Sequence, residues 1–241
     1  MLKIIIALLT LTCISIDNAS YASSNNVFAI NQDKSELIIS DPFIKINRKI
    51  YKFNNHIDKY TLKPAAKIYK NYTANWFKIG VNNFITNVNQ PFNILNSLLQ
   101  GKIKKASISL SSFVINSSIG ILGIFDPAHN NINIPKYSKE DFGQTLAVYG
   151  VPSGPYLVIP IFGPTSLRHL GGKSVNFIYD PVWDGLVNDN KAELLTNSLE
   201  GVVIREKLLE YLDDIDQNSF DPYSVIKSSY YQNRIKLIKN D

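Results

Sequence analysis

Charge nearly vanishes from the middle of this chain. Of 45 Asp, Glu, Lys and Arg residues, only eight fall within positions 79–167. A helix lying on the surface of a water-soluble core shows charges on its outer face. Three successive segments here show none: Ile79 to Gly101, Ala106 to Phe125, and Phe142 to Leu167. Two readings stay open. Either the segments form a buried helical core wrapped by the charged ends, or they face lipid as short helices lying in one leaflet. None reads as a bilayer-spanning helix, which takes about 20 consecutive apolar residues. Pro91 interrupts the first, six serines and Asn116 burden the second, and Gly150, Pro152, Gly154 and Pro155 break the third.

The third segment, FGQTLAVYGVPSGPYLVIPIFGPTSLR, meets its first charge at Arg168. Leu146 and Tyr149, three apart, predict a short helix between Gly143 and Gly150. A glycine- and proline-broken stretch follows, then the apolar run Tyr156 to Pro160. Ser138, with Asp141 three residues on, reads as a capping box leading in. Such a segment is too broken for a span and too apolar for an ordinary surface loop.

Around this middle the chain is conventional. Lys3 and the apolar run Ile4 to Ile16 read as an export leader, residues 1–22, with cleavage after Ala22. The alternative is a lipoprotein leader, 1–12, with Cys13 lipidated after Thr10-Leu11-Thr12. Residues 23–40 read as a linker and 41–238 as one helical domain. Asp-Pro pairs at 41, 126, 180 and 221 signal helix starts or turns, with Asp as N-cap and Pro at the first helical position. Phe43, Ile46, Ile50, Phe53 and Ile57 keep one apolar face, with Lys45, Arg48, Lys49 and Lys52 opposite. A second helix is expected at Pro64 to Tyr72. Leu195, Leu199, Val202, Leu209 and Leu212 predict another, and Tyr223, Ile226, Tyr230 and Ile238 the last. Many helices and few strands result.

The residue types exclude several chemistries. The one cysteine, Cys13, lies in the leader, so the mature body has no disulfide framework or thiolate zinc site. His56, His129 and His169 form no ligand cluster, so no metal or other cofactor is expected. Gly171-Gly172-Lys173-Ser174 ends like a P-loop, but Leu167 stands where the first glycine belongs. It reads as a turn before a helix from Val175 to Tyr179. GVPSG at 150–154 misplaces the serine of a nucleophile elbow. Lys102, Lys104 and Lys105 lack interleaved aromatics, and the net charge of +5 is mild, so nucleic acid is not expected.

The ordered residues resemble the MlaA (VacJ) family. They begin with Asp41-Pro42-Phe43, Asn47-Arg48, Tyr51 and Phe53-Asn54, then Lys63-Pro64, Asn82-Asn83-Phe84, Asn87, Pro91 and Leu98 to Gly101. Phe113, Asn116, Gly120, Gly123 and Phe125 to Ala128 follow. Asp141 to Leu146, Tyr149 to Val151, Gly154 to Tyr156, Pro160, Gly163-Pro164 and Leu167-Arg168 carry most of the specificity. Asp221 to Tyr223, Tyr230, Gln232 and Arg234 close the set. The chain departs from the family pattern at Ser112, Pro152, His169, Asn176 and Lys227.

The resemblance implies an all-α, ring-like protein whose amphipathic helices lie in the periplasmic leaflet of a bacterial outer membrane around a central channel. It implies passage of misplaced phospholipid inward to a periplasmic lipid-carrier protein, association with a trimeric porin, and no enzymatic step. On that reading Phe142, Leu146, Tyr149, Tyr156 and Phe162 face the channel or lipid. Polar Ser, Asn and Tyr side chains line the head-group path. Gly150, Gly154 and Pro155 form a hinge or gate. The rival is a porin-associated scaffold without lipid passage.

Overall fold

A computed structural model describes residues 40–178 and 189–239. The described residues form eleven helices and one hairpin. These are α1 (Ile44–Tyr60), α2 (Leu62–Tyr72), α3 (Asn75–Val88), α4 (Gln90–Leu99), α5 (Ile103–Ser118), α6 (Pro127–Asn130) and α7 (Phe142–Val148). Strands β1 (Tyr156–Ile159) and β2 (Gly163–Ser166) follow. The rest are α8 (Leu167–Ile178), α9 (Asn190–Lys207), α10 (Leu209–Asn218) and α11 (Pro222–Lys239). No described helix is long and apolar enough to cross a membrane. The leader, Cys13, most of the 23–40 linker, Tyr179 and Asp180-Pro181 lie outside the described residues.

The Asp-Pro pairs end in three different arrangements. At Asp221 the helix starts at Pro222 as the pair predicts. At Asp126 it also starts at the proline, but it runs four residues and its N-cap carboxylate makes no capping bond. At Asp41 the helix begins three residues later, at Ile44. At Asp41 and Asp221 the carboxylate also reaches partners far along the chain. Asp41 accepts from Asn47 Nδ2 at 2.8 Å, Tyr223 OH at 2.5 Å and Lys227 Nζ at 3.1 Å. Asp221 takes both guanidinium nitrogens of Arg48, at 2.9 and 2.5 Å. The two ends of the domain are thereby joined, and the Arg48 guanidinium also sits 4.5 Å over the Tyr223 ring.

This joint carries the hairpin. Strands β1 and β2 pair antiparallel, Tyr156 opposite Ser166, which leaves the other edge of β1 open. Unpaired edges must be covered, and here helix α1 covers one with side-chain amides. Asn47 donates to Tyr156 O at 3.0 Å and accepts from Val158 N at 3.0 Å. Asn54, two turns on, donates to Ile159 O at 2.9 Å and accepts from Ile161 N at 2.8 Å. Two asparagines seven residues apart on one helix face thus stand in for a third strand. Beneath them Tyr156 is buried against Tyr223, Tyr230 and Tyr231, with centroids about 6 Å apart.

A second junction sets α7. Asp141 itself is the N-cap, accepting from Gln144 N at 2.9 Å, rather than the far end of a box started by Ser138. The same carboxylate takes Arg234 of α11 in two bonds, at 2.6 and 3.0 Å. Helix α8 runs unbroken through Gly171 and Gly172, where the sequence suggested a turn. A Cβ on Gly172 would lie 2.4 Å from Gly143 N, so the glycine is there to let two helices touch. The expected helix through Leu195 to Leu212 breaks at Leu208 into α9 and α10; Val203, Arg205 and Leu209 are buried, while Leu195 is exposed. Arg205 is held there by Asp58 at 2.8 and 2.9 Å.

Two outcomes follow. Asn47→Ala strands the Tyr156 carbonyl and the Val158 amide, at about 1–3 kcal/mol for each buried group. Chemical unfolding in detergent should show that loss, and a smaller one for Asn54→Ala, whose Ile161 bond is exposed. Stability should also decline with acid in two stages. Burial, then the Arg234 and Lys173 charges, holds His169 at about 4, below its usual 6.5, so it folds best neutral. That stabilisation is complete above pH 6.5 and fades as pH falls toward about 4. Burial alone would raise Asp141, but the Arg234 bonds and charge overcome it and hold the carboxyl at about 2. Its share is lost between about pH 4 and 2. His169→Gln should flatten the upper stage of a melting-temperature profile, and Asp141→Asn the lower.

Candidate functional site

The charge-poor middle has its polarity turned inside out. On α5, Lys105, Ser109, Ser112 and Asn116 recur at helical spacing and are all buried, while Ile103, Leu110 and Val114 are exposed. On α4, Asn93, Asn96 and Ser97 are buried while Leu95, Leu98 and Leu99 are exposed. The turn after α5 continues the pattern with exposed Ile119, Ile121, Leu122 and Phe125. A surface helix facing water shows the opposite arrangement. Exposed apolar area on this scale marks a face that meets something other than water.

The inward polar groups are paired. Ser97 and Ser112 donate to carbonyls one turn back, Asn93 O and Ile108 O. Thr145 Oγ1 of α7 donates to Asn96 Oδ1 at 2.9 Å, and Gln100 Nε2 donates to Thr145 Oγ1 at 3.2 Å. The Glu140 side chain is fully buried. Lys105 Nζ lies 2.5 Å from its carboxylate, Lys102 Nζ 3.4 Å, and its backbone amide donates to Asn93 Oδ1. Asn116 bridges the end of α5 to Asp126 at 2.7 Å and to the Ala128 amide. Asp126 also engages His129 and, at 3.4 Å, Lys136. These residues were expected to line a head-group path. Here Ser97 and Ser112 are buried and bonded within their own helices, while Asn93, Asn96 and Asn116 tie α4 and α5 to neighbouring elements.

The segment 142–168 is closely tied down. Helix α7 ends in a Schellman arrangement: Gly150 N donates to Ala147 O and Val151 N to Leu146 O. Gly150, the residue just past the cap, has φ 81° and open space around it. Gly154 has φ 68°, and a Cβ there would lie 2.9 Å from the Leu167 side chain. Arg168 reaches back to Val151 O at 2.7 Å, while its own amide donates to Ser153 O. Burial and the nearby Arg234 charge lower its pKa. Pro155 accepts from the Leu167 amide.

The sequence-predicted site residues separate into three groups. Tyr149 and Phe162 are exposed, at 69% and 77%. Tyr149 also donates its hydroxyl to Leu99 O at 2.7 Å, fixing α7 beside α4. Phe142 and Leu146 are half-buried. Tyr156 is a correction: it is 1% exposed, at the hub of the tyrosine core, and faces neither lipid nor channel. An apolar strand residue whose ring points inward cannot be told from one that points outward until the partner helix is known. The Asn47 and Asn54 amides were missed as functional supports. Their seven-residue spacing was visible, but it carries meaning only beside an open strand edge.

Departures from the family pattern also find places. Ser112 is buried in the polar seam, His169 Nδ1 meets Tyr230 OH at 3.1 Å, Lys227 pairs with Asp41, and Pro152 is exposed. The Asn176 side chain lies outside what the structure describes. Among the described residues no three His, Cys, Asp or Glu side chains gather as metal ligands.

Comparison with known proteins agrees with this architecture. The MlaA lipoprotein family profile matches residues 39–237. A Rickettsia prowazekii protein of uncharacterised function is 34% identical over 238 residues, covering 97% of this chain and 93% of that one. The intermembrane phospholipid transport system lipoprotein MlaA of Haemophilus influenzae is 34% identical over 196 residues, covering 80% of this chain and 77% of its own. A solved structure from work on the structural basis for maintenance of bacterial outer membrane lipid asymmetry superposes with a TM-score of 0.73 at 30% identity. That match covers 83% of this chain and 100% of the other. Matched across nearly all of its described residues, the chain belongs to the MlaA lipoprotein family.

Proposed function

We propose that this protein is the outer-membrane component of a phospholipid-transport system and removes misplaced phospholipid from the outer leaflet. The relatives named for intermembrane phospholipid transport support the reading. The observation that carries it is the inverted α4–α5 unit, with polar groups sealed inside and leucines and isoleucines outside. Hydrocarbon tolerates that outer face, and the sealed interior leaves no unpaired charge for lipid to meet. On this reading the protein rests in one leaflet, the periplasmic one, in a ring around a channel, a placement that needs no spanning helix; none of the described helices is long and apolar enough to be one. Lipid passes to a periplasmic carrier, a trimeric porin holds the ring in place, and no bond in the lipid is broken.

Exposed Tyr149 and Phe162, with Phe142 and Leu146 behind, are the lipid-facing candidates. Residues Gly150 to Pro155 are the gate, closed by the Arg168 strap on Val151 O. Opening breaks the strap and the backbone bonds from Leu167 and Arg168 to Pro155 O and Ser153 O, while Gly150 and Gly154 tolerate either sign of φ.

The test is complementation in a bacterium lacking its own family member, reading phospholipid exposed on the cell surface. The chain should restore low exposure, and failure at normal folded levels removes the transport reading. Restoration by a variant whose channel is plugged by a cross-link would favour the scaffold instead. Arg168→Gln, which cuts the strap without altering glycine φ, should change the lipid-passage rate severalfold in reconstituted vesicles. An unchanged rate means that the segment is a static turn.

A further inference from the structure

Helix α1 carries a feature the transport reading does not use. Lys45, Lys49, Lys52, His56 and Lys59 recur at alternating spacings of four and three residues, and all are exposed. At about 100° per residue they form one stripe along the whole helix, turned away from the interior face of Asn47, Tyr51 and Asn54. The four lysines form no ion pair among the described residues. The cation of α1 that does find a carboxylate is Arg48, and the helix's own Asp58 is taken by Arg205. Such a run of like charge costs self-repulsion unless an anion meets it.

What lies beside the stripe says which anion. Each basic position is followed by an apolar or aromatic one: Ile46, Ile50, Phe53, Ile57 and Tyr60. Ile46, Phe53 and Tyr60 are 57%, 51% and 65% exposed. The exposed side of α1 therefore carries a basic arc beside an apolar one formed by Ile46, Phe53 and Tyr60, while Ile50 packs against the tyrosine core. His56 and Lys59 both lie against the Tyr60 ring, at 4.9 and 5.7 Å, on the boundary between them. Tyr72 at the end of α2 and Trp76 at the start of α3 are exposed too, and both are residue types that favour the membrane interface. An acidic protein would engage the lysines and leave the apolar arc wet. A lipid layer engages both, with phosphates at the lysines and acyl chains beneath the apolar arc.

We propose that α1 docks lengthwise on an anionic phospholipid layer, its lysine stripe level with the phosphates, so that the protein prefers membrane rich in anionic lipid. The inference rests on placement in one leaflet and is independent of lipid passage.

The test is co-sedimentation of the full chain with vesicles of phosphatidylethanolamine and phosphatidylcholine, against the same vesicles doped with phosphatidylglycerol. Doping should tighten binding by about fivefold for each engaged lysine, and salt should reverse the gain. Replacing Lys45, Lys49, Lys52 and Lys59 with Gln should abolish the phosphatidylglycerol preference and leave binding to the undoped vesicles. Replacing exposed Lys67, Lys104, Lys191 and Lys236 with Gln changes net charge equally and should leave the preference in place. Equal loss in both variants, or retained preference in the first, overturns the proposal. So does loss of the preference to inorganic phosphate at matched ionic strength, which would make the stripe a site for free phosphate. Failure to bind any vesicle sinks leaflet placement and this inference together, whereas binding without a charge preference sinks this inference alone.

Discussion

The polar seam between α4, α5 and α7 is the constraint that the rest of the structure satisfies. Asparagine, serine, threonine, one glutamate and two lysines meet there away from water, and a buried polar group without a partner is costly. The partners come from three elements at once: Asn96 from α4, Lys105 from α5, Thr145 from α7, with Glu140 in the loop that leads from α6 into α7. None of these helices can satisfy the seam alone. Their arrangement follows from the pairing, and the apolar side chains left over face outward. In a water-soluble domain the hydrophobic effect would oppose that result. Beside hydrocarbon the opposition disappears, and the internal hydrogen bonds hold the helices together.

The same economy of partners recurs at the domain's joint. Asp41, Asn47, Arg48, Asp221 and Tyr223 link the first helix to the last. The Asn47 and Asn54 amides then finish a sheet that has only two strands of its own. The broken segment 150–168 is positioned by these contacts and by the Arg168 strap. Its glycines meet defined backbone requirements, a Schellman cap at Gly150 and close approach to Leu167 at Gly154. Tyr156 and Val158 anchor the middle of the segment in the tyrosine core, and hydrogen bonds order its two ends.

Some of the site was legible in the residues and some was not. The short helix ending at Gly150 is where Leu146 and Tyr149 place it. The second helix ends at Tyr72, as its pattern predicts. Asp141 and Tyr156 show where local reading stops. The Asp141 carboxylate looked like part of a local box, but Arg234, 93 residues away, claims its other face. Tyr156 looked like a lipid-facing aromatic, but the last helix brings three tyrosines to one side of it. Gly172 resembled the end of a phosphate loop, and its reason is contact with Gly143. In each case the deciding group is distant in sequence.

By itself the sequence determined the helical class, the absence of a spanning helix in the charge-poor middle, and the family. Charge depletion, proline and glycine breaks and ordered motifs are properties of the chain, readable without knowing its neighbours. Only the tertiary structure decided which face of each uncharged helix is inside. A helix rich in both serine and leucine has two candidate interiors, and periodicity marks the two faces equally well. Pairing across α4, α5 and α7 selects the polar one, because Asn96, Thr145, Lys105 and Glu140 find their partners only when these elements meet.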